Sequence, residues 1–145
     1  MKAHQSVGEG ARLGLLVASS IWIWLALVDA LVGQPFHTFA VLGGVVIFTA
    51  LHFLLNVAYG IAIVAVIHAS AREPRFLIAV WLGFFVIEFA FVMLTMLLSH
   101  AGLGELAWVR ILGGNLIGAV LGWSILARSH PVLEEIREAD AEQNE

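Results

Sequence analysis

Residues 39–67 read FAVLGGVVIFTALHFLLNVAYGIAIVAVI, a run without a single Lys, Arg, Asp or Glu. About 20 apolar residues carry a helix across a bilayer. The run therefore predicts a membrane-spanning helix with length to spare, one that tilts or projects beyond the hydrocarbon. Within it Thr49, His52, Asn56 and Tyr59 recur at the i, i+3 and i+4 spacing that places them on one helical face. A polar stripe of this kind is costly against lipid, so other helices must cover it.

The rest of the chain supplies those helices. The 145 residues are 61% hydrophobic and 12% charged, with a mean hydropathy of +0.95. A soluble domain is about a quarter charged. The excess lies in long apolar runs, which makes the lipid bilayer the first partner of this protein. There is no cysteine, which excludes a disulfide framework and any thiol chemistry. No basic patch suggests nucleic acid.

Outward from the central run, residues 13–33 form a first span behind a polar N-terminal segment. Its length and its two tryptophans read as an uncleaved helix rather than a signal peptide. Gln34-Pro35 is expected to stop it, because proline lacks an N–H and disfavours helix in the residue before it. Beyond the Pro74 break lies a third span, 76–99, and beyond the glycine-containing HAGLGE turn a fourth, 106–127. Residues 131–145 form an acidic tail with a helix-compatible start at Pro131. The expected fold is all-α: a polytopic, up-down four-helix transmembrane bundle forming one domain over residues 1–130. Lys2, Arg12, Arg72, Arg75, Arg128 and Arg137 all fall on one side of that arrangement, and Arg110 alone falls toward the other. Basic loops mark the cytoplasmic side. Both termini are therefore expected in the cytoplasm, with the protein in the inner or plasma membrane. An offset of 59 aligns Trp22 with Trp81, Asp29 with Glu88, Gly43 with Gly102 and Asn56 with Asn115, the pattern a duplicated hairpin would leave.

Each span carries a polar group near mid-depth: Ser19 and Ser20 in the first, His52 and Asn56 in the second, Glu88 in the third and Asn115 in the fourth. Charge at that depth is expensive and marks ion or proton pathways. Glu88, His52, Asn56 and Asn115 are the candidate site for a proton, a cation or a small polar ligand. Glu88 is the group that changes protonation, and His52 its partner. That reading makes the protein a small transporter or channel. The competing reading is a non-catalytic membrane subunit or scaffold, whose polar layer only joins helices. A haem-binding subunit is a third: His52 is the one mid-depth imidazole, so an axial pair would need a second copy. No protein-only metal site is expected, since His52 and Glu88 are too few ligands, and nothing points to an enzyme. Gly114, Gly118 and Gly122 make a small-residue face that lets another helix approach closely, within the chain or in a homo-oligomer. Asp29 and Arg110 sit at a common depth near the far ends of their spans. Asp is too short to reach headgroup water, so the two are expected to pair and to make the first and fourth helices neighbours.

Overall fold

The computed structural model describes residues 2–70 and 75–129, with side chains for 6–69, 82, 83 and 85–128. The acidic tail at 131–145 lies outside the described residues. Among those described there are helices and turns and no strand. Helix α1 covers Lys2–Leu31, a five-residue α2 covers His37–Val41, α3 covers Val45–Ser70 and α4 covers Arg75–Leu98. A wide turn over Ser99–Leu103, broken at Gly102, leads through Gly104–Leu106 into a π-helix at Trp108–Leu112, which continues as α5, Gly113–Ser129. Four segments are long and apolar enough to cross a membrane: Ser6–Leu31, Val45–Ala69, Phe85–Leu106 and Trp108–Arg128.

The run at 39–67 is not one continuous helix. Gly33 ends α1 in a left-handed conformation (φ 72°). Its N–H bonds Ala30 O at 3.1 Å, and the Gln34 N–H bonds Asp29 O at 2.9 Å. This is a Schellman cap, which closes the helix before Pro35 is reached. The device recurs ten residues on. Gly43 (φ 103°) bonds Ala40 O at 3.3 Å, and the Gly44 N–H bonds Phe39 O at 2.7 Å. The spanning helix therefore starts at Val45, not at residue 39, and residues 32–44 form a separate folded-in piece. A glycine pair inside an apolar run is compatible with a membrane helix. Only the positive φ values, which suit glycine, make it a stop here.

Helix α1 is central. Trp22 Nε1 donates to Thr49 Oγ1 at 3.0 Å, and His52 Nε2 meets Ala18 O at 3.0 Å. Farther toward the N-terminus, Gly14 lies against the backbone of Asn56 and Val57, and Gly10 against Gly60 and Ile61. The pairings run in opposite order, so α1 and α3 are antiparallel. Their backbones touch through Gly10, Gly14 and Gly60, where no Cβ would fit. On its other face α1 offers Val17, Ile21 and Trp24 to α5, and these fill the surface of Gly113, Gly114, Gly118 and Gly122. The Trp24 indole also donates to Val109 O at 3.1 Å. A π-helix widens the backbone ring, and this indole satisfies one of its carbonyls. The α5 glycine face is thus occupied by α1 of the same chain and is not the face open to a second subunit.

The remaining helix, α4, is peripheral. Its far end is fixed by an apolar cluster of Leu98, Leu103, Ala107 and Ile111, against which Val41, Leu42 and Phe91 pack. Gly43 and Gly102, aligned by the repeat offset, both take positive φ. The two halves otherwise pack differently, because α1 and α3 touch backbone to backbone and α4 stands apart.

Candidate functional site

The polar residues separate into three groups. The first is the most buried. Asp29 is 0% exposed, Thr38 0% and Arg110 1%. Asp29 Oδ2 accepts the Thr38 backbone N–H at 2.7 Å, and Oδ1 accepts the Thr38 hydroxyl at 2.7 Å. Arg110 Nε lies 2.8 Å from Asp29 Oδ1. Its N–H makes no aligned hydrogen bond, so that contact is electrostatic rather than directional. The guanidinium is completed by Nη1 to Leu103 O at 3.2 Å and Nη2 to Gln34 Oε1 at 3.3 Å. One ion pair thus ties α1, α2 and the π-helix together at the turn end of the bundle. His37 Nε2, 3.1 Å from Gly102 O, joins the two turns a second time. Every polar arm of Asp29 and Arg110 is directed into protein, which suits a clamp and not a ligand site.

The second group belongs to the α1–α3 contact. Asn56 Nδ2 donates to His52 O at 2.8 Å and faces His52 Nδ1 at 3.4 Å. His52 Nε2 is already on Ala18 O, and the ring stacks on Phe48 at 5.1 Å. Phe48 in turn meets Phe39 at 5.2 Å, and Phe39 meets Trp22 at 5.1 Å. His52 is therefore a packed bridging residue, and neither ring nitrogen is turned outward to hold a haem iron. Ser19 and Ser20, on α1, donate to Leu15 O and Val17 O of their own helix at 2.8 Å each, so α1 enters the layer through the Ala18 carbonyl.

The third group is Glu88 and Asn115. Asn115 Nδ2 donates to Glu88 Oε1 at 2.9 Å and Oε2 at 3.0 Å. The candidate residues thus fall into two pairs, Glu88 with Asn115 and His52 with Asn56, each with its own partners. Among the described residues no three His, Cys, Asp or Glu side chains come together.

Sequence reasoning missed the α1–α3 seam. Gly10 and Gly14 carry the same four-residue spacing that marked α5, but they straddle the boundary between the polar N-terminal segment and the first span, so the spacing does not read as one face. Thr38 and Gln34 gave no signal, since a short turn is where such residues ordinarily sit.

Fold and site together define an all-helical protein with four helices able to span a membrane, a clamp at the turn end and one carboxyl beside an amide within the third span. Comparison with protein-family models, curated proteins and solved structures finds no match for this chain.

Proposed function

We propose that this protein is a small multi-pass transporter of the cytoplasmic membrane in which Glu88, held by Asn115, takes up and releases a proton or a cation. Six basic residues at the terminal end of the spans support cytoplasmic termini, with the Asp29–Arg110 clamp on the far side. The observation that carries the reading is the company Glu88 keeps. Its carboxylate lies within a spanning helix, half-buried, and the partner it has among the described residues, Asn115, brings no positive charge. An unneutralised carboxylate at that position binds a proton or a cation.

Asn115 suits both states. As an amide donor it holds the carboxylate. Once Glu88 is protonated, its O–H needs an acceptor, and rotation of the same amide presents Oδ1. Oxygen and nitrogen of an amide are interchangeable in position, so both arrangements fit the same space.

A hydrophobic carbodiimide tests this directly. A carboxylic acid adds across the carbodiimide C=N bond and rearranges to a stable N-acylurea, whereas a carboxylate does not. Labelling of the full-length protein in membranes should appear at Glu88 by mass spectrometry and fade as pH rises. Glu88→Gln should remove both the label and proton-coupled uptake into liposomes. A carboxyl that is never labelled at any pH would sink the proposal.

A second reading is favoured by the rest of the polar layer. Trp22–Thr49, His52–Ala18 and Asn56–His52 are all bonds that join or brace helices. A non-catalytic subunit of a larger membrane complex would need no more. It predicts a parent protein without flux that copurifies with a fixed partner.

A further inference from the structure

We infer that the ligand exchanged at Glu88 is a lipophilic organic cation that reaches the site sideways from the bilayer; this rests on the proposal that Glu88 is the exchanging group. The first ground is where the bundle is closed. Both seams of α1 are sealed by glycine contacts, to α3 through Gly10, Gly14 and Gly60 and to α5 through Gly114 and Gly118. The turn end is stoppered by the residue 32–44 piece, whose Thr38 and Phe39 are fully buried and clamped through Asp29 to Arg110.

The second ground is where it is open. On α4 the covered stripe is Phe91, Thr95 and Leu98, while Phe89, Val92 and Met96 are exposed. At 100° per residue, Glu88 falls on the margin between the two. Phe89 beside it is 67% exposed, and Tyr59 on α3 is 42% exposed. Among the described residues the carboxyl is therefore held from within by Asn115 and bordered on its open side by the exposed Phe89 and Val92 of its own helix.

The third ground is ligand chemistry. Hard inorganic cations such as calcium want about six to eight oxygen ligands. This site offers the carboxylate and the Asn115 carbonyl, which is too few. One negative charge beside the exposed apolar side chains of its own helix instead suits a monovalent cation that brings its own apolar surface, through charge pairing and contact with that surface. A proton and such a cation would compete for the same carboxyl. Among the described residues the group bonded to it from a neighbouring element is Asn115 from α5.

The test uses the purified full-length protein in nanodiscs with radiolabelled tetraphenylphosphonium as probe. Binding should be saturable at alkaline pH and displaced by acidification, with the midpoint at which carbodiimide labelling of Glu88 rises. Glu88→Gln should weaken binding roughly tenfold or more, the size of one charge contact in a dry site. The pH competition is read on the unaltered chain, so the inference stays testable even where Glu88→Gln fails to fold. Saturable binding that neither acid nor Glu88→Gln disturbs would overturn it. If Glu88 is labelled but the parent protein shows no saturable binding, the ligand is the proton alone and this inference fails while the proton site stands. If Glu88 is not labelled, both fail.

Discussion

Asp29→Asn and Arg110→Gln should each lower stability by about 3–5 kcal/mol, because each leaves the other charge buried without its counter-ion. Both side chains are essentially inaccessible, at 0% and 1% exposed, so neither can turn to water for solvation. The double variant Asp29→Asn, Arg110→Gln should recover a substantial part of the loss, since an amide at position 29 still accepts the Thr38 N–H through its oxygen and donates its N–H to the Thr38 hydroxyl oxygen, the two partners that lie at 2.7 Å from the carboxylate. The measurement is a thermal-melt double-mutant cycle on the protein in detergent. Strictly additive losses would show that the 2.8 Å contact carries no coupling. The damage should also be local. The polar ties of residues 32–44 to the bundle include Thr38 on Asp29 and Gln34 on Arg110, so backbone amide exchange should rise there first in either single variant.

The second large effect concerns glycine. Gly14→Ala and Gly60→Ala should each destabilise by about 3 kcal/mol, the upper part of the range for overpacking, or more. A Cβ at position 14 would strike the Asn56 carbonyl and the Val57 backbone, and one at position 60 the backbone of Gly10 and Gly14. Backbone cannot swing aside as a side chain can, so the two helices must separate. Separation would also stretch the 3.0 Å contacts of His52 with Ala18 and of Trp22 with Thr49. The α5 series should behave more gently. At Gly118 the nearest atom is the flexible Ile21 Cδ1 at 2.7 Å, and at Gly122 the contact with Val17 is an ordinary 3.5 Å. Gly8→Ala, with nothing within 4 Å, is the control and should change little. If Gly14→Ala melted no lower than Gly8→Ala, the close approach of α1 and α3 would be refuted.

These expectations depend on two kinds of information. Composition and run length by themselves determine that the chain is helical and has four segments able to span a membrane. In hydrocarbon each spanning segment must satisfy its backbone hydrogen bonds within itself, so the property is local and a single run such as 45–69 displays it. Depth along a run is equally local. It marks Asp29 and Arg110 as charges at one level, and Glu88 and Asn115 as polar groups near another.

What the runs leave open is everything that depends on which helix faces which. Residues 39–67 are apolar throughout, and their composition does not tell an unbroken helix from one restarted at Val45. That choice was made by the positive φ values of Gly43 and Gly44 and by the burial of Thr38 and Phe39 against the rest of the bundle. Likewise, the i, i+4 spacing puts His52 and Asn56 on one face, but nothing in the sequence places Asn115 rather than His52 beside Glu88. Greasy helices present nearly uniform surfaces to their neighbours, so their rotation about their own axes is decided by contact. Here the contacts are the backbone-to-backbone seam at Gly10, Gly14 and Gly60 and the insertion of Ile21 and Trp24 over Gly113, Gly114 and Gly118. They turn His52 toward the Ala18 carbonyl on α1 and place Asn115 beside Glu88 on the outlying α4. Tertiary structure thus separated a bracing histidine from the carboxyl left at the open margin, because only packing fixes which way each helix is turned.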